Sequence, residues 1–153
     1  MKTIVKDVMK TEFKTVGPDF PISQALEVFR ASKQAGKTIF GMMVIDKEGT
    51  IVGMLSMYDI LLFLLPKHVK IWGNMDDIEI EGIIDHAASK LKNIYVGDIM
   101  TPKVISVTPD THLMMVLDIM VKKHVRRLPV VTHGEAVGMV YISDLFNHLL
   151  ERV

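Results

Sequence analysis

Residues 5–9 read VKDVM, and residues 96–100 read VGDIM. When the chain is aligned with itself at an offset of 91, 7 of the 25 positions of 5–29 are identical. At an offset of 85, residues 47–61 match 132–146 at five positions. Because this period is longer than that of solenoid repeats, the chain contains two copies of one small unit, and the first copy carries six extra residues.

The duplication predicts the domain organisation. We assign a first repeat to residues 1–66, a connecting helical segment to 67–95 and a second repeat to 96–153. Each repeat is short and has no cysteine for a disulfide, so it buries too little surface to be stable alone. We therefore expect the repeats to pack face to face about a pseudo-twofold axis, with related clefts between them.

The same order of sequence patterns occurs in both repeats. A short β-favouring run, at Thr15 and Val16 or at residues 104–107, ends in a Pro-Asp turn and is followed by an amphipathic helix. Two apolar runs around a glycine turn then predict a hairpin, and a second helix begins near Ser56 or Tyr141. The unit is therefore β-α-β-β-α, and the fold class is α+β.

The connecting segment also has a helical pattern. Asp76 and Glu79 have the spacing of a capping box variant, and apolar residues recur at helical intervals from 80 to 94. The apolar residues 61–65 extend the helix that precedes this segment, and we interpret them as core; the alternative is that, with Trp72, they cover the module or a partner.

Composition argues against several classes of partner. The chain has 153 residues, 49% of them hydrophobic and 24% charged, as expected for a globular protein of one domain or two half-sized units. Eighteen basic and 18 acidic residues give no net charge, which argues against nucleic acid and membrane surfaces as partners. The sequence has no apolar run long enough for a membrane span and no secretory signal, so we expect a soluble, cytoplasmic protein.

Patterns of catalytic and metal-binding residues are missing from the sequence. There is no cysteine, and the six histidines show none of the common metal-ligand spacings. No serine lies in a nucleophile elbow, and neither glycine-rich phosphate loop occurs. We therefore expect no bound metal and no enzymatic activity.

The first candidate site is the pair Ser56 and Asp59, where a strand runs into a helix. Two interpretations use the same atoms. In one, the Ser56 hydroxyl and the Asp59 carboxylate form a capping box at the helix N-terminus. In the other, the helix amides bind an anion and Asp59 accepts both hydroxyls of a ribose. The second repeat keeps the acid as Asp144 but has Tyr141 in place of the serine, with Ser143 available as a substitute hydroxyl.

The second candidate site is the basic cluster His124, Arg126 and Arg127, between a predicted helix and a predicted strand. Such cations stabilise the last turn of a helix and are then simply solvated. Alternatively, the arginines bind phosphate through two hydrogen bonds each, and His124 makes that binding pH dependent. The first repeat has Phe40 and Gly41 at the places of the arginines, so the two clefts should not be equivalent.

Taken together, these motifs resemble the cystathionine β-synthase (CBS) domain family. The resemblance rests on two VxDIM-like motifs, two Pro-Asp turns, the RRLPVV stretch, and two glycine hairpins that are followed by an aspartate. It covers both repeats and implies that they form a pair and that such pairs commonly dimerise. It also implies that clefts between the repeats bind AMP, ADP, ATP or S-adenosylmethionine.

The resemblance implies roles for individual residues. In the family, the aspartate of the last motif holds the ribose, the hydroxyl residue before it and the basic residues ahead of the LPV strand contact phosphate, and the first strand contacts adenine. Carried over to this chain, the ligand-binding residues are Thr15, Val16, Ser56, Asp59, Ser106, Val107, His124, Arg126, Arg127, Ser143 and Asp144.

The functional hypothesis follows from the resemblance and from the absence of catalytic patterns. We expect a non-catalytic regulatory module that binds an adenine nucleotide, forms a homodimer and acts on an effector protein. The alternative is a structural dimerisation module without a nucleotide ligand. Tyr141 and the missing basic pair of the first repeat keep this alternative open.

Overall fold

The order of elements repeats along the chain, as the sequence predicts. The computed structural model describes residues 3–65 and 80–153, without the side chains of residues 80, 81 and 83. Trp72, Asp76 and Glu79 therefore lie outside the described residues. The elements are β1 (Thr15–Val16), α1 (Ile22–Gln34), β2 (Gly41–Ile45), β3 (Ile51–Ser56), α2 (Met57–Leu64), α3 (Ile80–Lys90), α4 (Val96–Ile99), α5 (Leu113–Lys123), β4 (Arg127–Thr132), β5 (Glu135–Tyr141) and α6 (Ile142–Leu150). Helices combine with small sheets of three and two strands, so the fold class is α+β.

The first strand differs between the repeats. β1 pairs in parallel with β2, whereas the strand predicted over 104–107 is reduced to a single parallel bridge between Val107 and Val130. Val107 donates to the carbonyl of Pro129 at 3.0 Å and accepts from Val131 at 2.8 Å. The next rung of a parallel ladder would need an N–H from Pro129, which has none. The strand prediction over 104–107 is therefore wrong except at Val107.

The chain divides into two compact units, and each unit combines parts of both repeats. One unit comprises Met1–Lys14, Ile45–Val52 and Lys103–Val153, and the other comprises Thr15–Val44 and Gly53–Pro102. The opening segment of each repeat therefore belongs to the unit that contains most of the other repeat.

Corresponding backbone contacts hold the two opening segments. The amide of Val5 donates to the carbonyl of Thr111 at 2.9 Å, and the amide of Val96 donates to the carbonyl of Phe20 at 2.9 Å. Both valine side chains are fully buried. Burial of a valine stabilises by about 2 kcal/mol, so each opening segment is an integral part of its unit.

Two glycines allow the opening segments to cross the second strand of each hairpin. A Cβ atom on Gly138 would lie 2.8 Å from the sulfur of Met9 and 2.9 Å from the carbonyl oxygen of Lys10. A Cβ atom on Gly53 would lie 2.6 Å from the sulfur of Met100. Only glycine leaves room for this crossing, which brings the residue after each methionine against the strand.

Most buried side chains follow the predicted amphipathic patterns, but Val121 and Ile84, predicted on apolar helix faces, are 59% and 58% exposed. The core of the unit that contains Asp144 comprises Val5, Val107, Leu113, Val116, Met120, Leu128, Val130, Val140 and Leu145. The helix predicted after residue 80 is confirmed as α3. Leu61 and Leu62 are 64% and 55% exposed, so their interpretation as core is wrong. Because α2 is apolar on all sides, burial of one face at Ile60 leaves the others in solvent.

Candidate functional site

Ser56 and Asp59 form the capping box that one interpretation of the sequence predicts. The amide of Asp59 donates to Oγ of Ser56 at 3.1 Å, and the amide of Ser56 donates to Oδ2 of Asp59 at 2.9 Å. The Ser56 hydroxyl also donates to Oδ2, at 2.9 Å. One oxygen of Asp59, Oδ2, therefore accepts two hydrogen bonds from Ser56, the N-cap residue of α2.

Thr101 forms a hydrogen bond with the other oxygen of Asp59. Its hydroxyl donates to Oδ1 at 3.1 Å, and two backbone hydrogen bonds of 2.8 and 3.0 Å with Met54 hold it beside β3. Sequence reasoning missed Thr101, although it directly follows the second VxDIM-like motif. Both oxygens of Asp59 are thus bound by donors of the protein itself.

Asp144 has different surroundings from Asp59. α6 begins at Ile142, and Tyr141 at its N-cap makes no side-chain capping hydrogen bond. The Asp144 side chain is only 21% exposed. Among the described residues, its Oδ2 atom is buried and has no hydrogen-bond partner. A buried acceptor left without a donor costs about 1–3 kcal/mol, so a donor that reached this oxygen would stabilise the folded protein.

Lys10 forms an ion pair with Asp144. Its Nζ atom lies 3.6 Å from Oδ1 of Asp144. Two backbone hydrogen bonds with Met139, each 2.8 Å long, hold Lys10 beside β5. At the offset of 91, Lys10 corresponds to Thr101, so a cation stands in one unit where a hydroxyl stands in the other. Sequence reasoning missed Lys10 as well.

The two arginines belong to the same end of the hairpin as Tyr141. Arg127 begins β4 directly opposite Tyr141, and the carbonyl of Arg126 accepts the amide of Ile142 at 2.8 Å. Burial raises the pKa of the half-buried Tyr141; the positive charge of Arg127 opposes this shift, and the negative charge of Asp144 adds to it. Arg127 and Asp144 therefore both lie within electrostatic reach of one phenol.

The other predicted site residues are divided between the two units. The unit that contains Asp144 also contains Ser106, Val107, His124, Arg126, Arg127 and Ser143. The unit that contains Asp59 also contains Thr15, Val16 and Ser56. Ser143 and Ser106 are exposed, and His124 is an exposed residue with a left-handed φ of 53° at the end of α5. Their ligand contacts remain predictions.

A metal-binding cluster and a membrane-spanning helix are both absent from the described part of the chain. Within residues 3–65 and 80–153, no three side chains of the His, Asp and Glu types lie close enough together to hold a metal ion. None of the helices described there is both long enough and apolar enough to cross a membrane.

Comparison with known families identifies the duplicated unit. The sequence pattern of the CBS domain matches residues 5–66 and again residues 96–151. The chain belongs to the CBS domain family. Because the two matches coincide with the two repeats found in the sequence, the predicted tandem CBS pair is confirmed.

Relatives of this CBS pair cover nearly its whole length. It is 31% identical over 160 residues to the protein MJ1426 of Methanocaldococcus jannaschii, with 96% of this chain and 91% of that protein covered. It is 28% identical over 155 residues to the chloroplastic CBS domain-containing protein CBSX1 of Arabidopsis thaliana, with 93% of this chain and 61% of that protein covered. CBSX2, a CBS-pair protein of Arabidopsis thaliana, has a crystal structure in complex with AMP. Its sequence is 26% identical to this chain, and the two structures superpose with a TM-score of 0.71 over 97% of each chain.

Proposed function

We propose that this CBS pair is a non-catalytic regulatory module that binds an adenine nucleotide and acts on an effector protein. The observation that carries the proposal is the buried Oδ2 of Asp144, which lacks a donor within the described chain. A ribose presents two vicinal hydroxyl donors, and a carboxylate accepts both. Lys10, Arg126 and Arg127 supply positive charge for a phosphate group in the same unit.

The comparison with CBSX2 supports the adenine part of the proposal. CBSX2 was solved in complex with AMP, and the likeness extends over 97% of each chain. In the proposed complex, Asp144 accepts the ribose hydroxyls, Arg126, Arg127 and His124 surround the phosphate, and Ser143 offers a hydroxyl. In the same unit, the backbone of Ser106 and Val107, at the first-strand position of the second repeat, contacts adenine; Thr15 and Val16 are the corresponding residues of the unit that contains Asp59.

A homodimer is the assembly that we propose for this module. The exposed apolar residues of α6 follow one helical stripe: Ile142, Phe146, Leu149 and Leu150. Phe146 alone is 59% exposed. A contiguous apolar stripe of this kind is typical of a protein interface.

A structural dimerisation module without a nucleotide is the second candidate function. It is favoured by Asp59, whose two oxygens are already bound by Ser56 and Thr101. A unit in which every such acceptor is satisfied gains nothing from a ligand hydroxyl. Oδ2 of Asp144, in contrast, has no donor among the described residues, so a test of ligand binding at Asp144 distinguishes the two candidate functions.

Thermal unfolding in the presence of AMP, ADP, ATP and S-adenosylmethionine tests the proposal. A ligand at about one hundred times its Kd stabilises the folded state by about 2.7 kcal/mol, which raises the Tm by several degrees. We expect Asp144→Ala to abolish this shift, while Asp118→Ala, on the exposed face of α5, keeps it. Without ligand, Asp144→Ala should change the Tm little, because loss of the long 3.6 Å ion pair between Lys10 and Oδ1 is offset by removal of the unsatisfied Oδ2.

Two outcomes would contradict the proposal. The absence of a shift with all four compounds would favour the structural module. A shift that survives Asp144→Ala at full size would assign the ligand to other residues.

A further inference from the structure

Asp59 and Asp144 occupy corresponding positions of the two repeats but differ in how their oxygens are hydrogen-bonded. The carboxylate of Asp59 accepts three hydrogen bonds, two from Ser56 and one from Thr101. Asp144 has an ammonium group 3.6 Å from one oxygen, and its other oxygen is buried without a partner among the described residues. The duplicated aspartates are therefore not duplicated sites: one is satisfied by the fold, and the other is left for a ligand.

The difference arises at two positions of the repeat. Where the Asp59 unit has Ser56 at the helix N-cap, the Asp144 unit has Tyr141, which makes no capping hydrogen bond. Where the Asp59 unit has Thr101, the Asp144 unit has Lys10. A threonine hydroxyl is a short neutral donor that stays on the carboxylate, whereas a lysine is a long cation that reaches several acceptors.

The geometry around Lys10 allows it to contact a ligand. Its side chain is 59% exposed, and 3.6 Å is longer than a charged hydrogen bond, so little is lost when the ammonium turns toward another anion. Its backbone is fixed on both sides by Met139, so the side chain starts from a defined place next to α6. Arg127 lies on the adjacent strand, opposite Tyr141, and adds positive charge to the same end of the hairpin.

We infer that Lys10 determines the ligand specificity of the Asp144 site, which takes one phosphorylated nucleoside per chain and discriminates against the uncharged nucleoside. This inference rests on the proposed function and adds the role of Lys10 in ligand discrimination and the stoichiometry. Asp144 accepts the sugar hydroxyls through Oδ2, and Lys10 leaves Oδ1 to pair with the phosphate. The Asp59 site lacks this cation and stays closed by its own hydroxyl donors.

Isothermal titration with AMP and with adenosine tests the inference on the full chain. We expect one AMP per chain and weaker binding of adenosine. Lys10→Met, which removes the charge without adding a hydrogen-bond donor, should weaken AMP binding at least about tenfold and change adenosine binding by less than about threefold. Lys10→Arg should retain AMP binding because it keeps the charge. The matched control is Lys6→Met, at an exposed lysine of the same opening segment, and it should leave both affinities unchanged.

The possible results separate the inference from the proposed function. Two AMP molecules per chain, equal affinities for AMP and adenosine, or the same loss for both ligands in Lys10→Met would overturn the inference and leave nucleotide binding intact. A comparable loss in Lys6→Met would also overturn it, because the effect would then be a general effect of surface charge. If the unmodified chain binds neither compound, the inference and the proposed function fail together.

Discussion

His133 adopts a backbone conformation that few L-residues favour. Its φ is 51°, and that of the following Gly134 is 82°. These two residues form the loop between β4 and β5, since Thr132 pairs with Glu135. Two successive positive φ values define the turn that matches the twist of a hairpin, and Asn-Gly is its preferred sequence. The chain therefore uses a less suitable residue at the first turn position.

His133→Asn is expected to stabilise the protein. Asparagine tolerates the left-handed conformation better than histidine, so the free energy of unfolding should rise by about 0.5–1 kcal/mol. His133→Val should lower it, because a β-branched residue is strained at positive φ. Urea unfolding of both variants measures the effect. Equal midpoints for the two variants would mean that the backbone at this position relaxes.

Single residues also show how far sequence reasoning reaches. The contact of Ser56 with Asp59 could be predicted, because three residues separate them and a capping box has that spacing. The contact of Thr101 with Asp59 could not be predicted, because 42 residues separate the two in the chain. Lys10 and Asp144 are still farther apart in sequence. Local spacing carries no information about such pairs.

Helices α2 and α6 begin at corresponding places but with different caps. α2 has a serine N-cap that bonds to the third residue of the helix, and α6 has Tyr141 without a capping bond. The start of both helices could be predicted from the change of hydrophobic period at residues 56 and 141. The extent of the strand over 104–107 could not, because it depends on the partner strand and its Pro129.

Ser56→Ala is expected to destabilise α2. Loss of an N-cap side chain costs about 1 kcal/mol, which lowers the Tm of a protein of this size by about 3 °C. Ser23→Ala, at an exposed position in the first turn of α1, is the control and should leave the Tm nearly unchanged. Differential scanning calorimetry measures both. A similar Tm for the two variants would show that water replaces the serine hydroxyl at no cost.

The exposed apolar stripe of α6 bears on the assembly of the whole molecule. Ile142, Phe146 and Leu150 follow one another at helical spacing, and each is at least 41% exposed. A monomer rarely leaves such a stripe in water, because apolar contact area is the main source of association free energy.

Phe146→Glu is expected to convert a dimer into a monomer. The substitution places a charge in the centre of the stripe, where burial in an interface would require its desolvation. Asn147→Glu adds the same charge at an exposed neighbouring position outside the stripe and should leave the mass in solution unchanged. Light scattering coupled to gel filtration measures the mass. A monomeric parent protein, or a dimeric Phe146→Glu variant, would contradict the proposed interface.

The duplication could be predicted from the sequence, whereas the composition of the two compact units could not. Identical positions at a constant offset reveal two copies, but they do not show which copy a segment packs against. The hydrogen bond from Val5 to Thr111 joins the opening segment of the first copy to a turn of the second. Only coordinates reveal such a contact, because the same turn occurs in both copies.

The exchanged opening segments make the tandem arrangement obligatory. Deletion of either copy would remove Val5 or Val96 from the core of the remaining copy. The apolar residues that now surround this valine would then be exposed to water. A single copy is therefore expected to be unstable by itself, and a substitution in either opening segment should destabilise the unit that contains the aspartate of the other repeat.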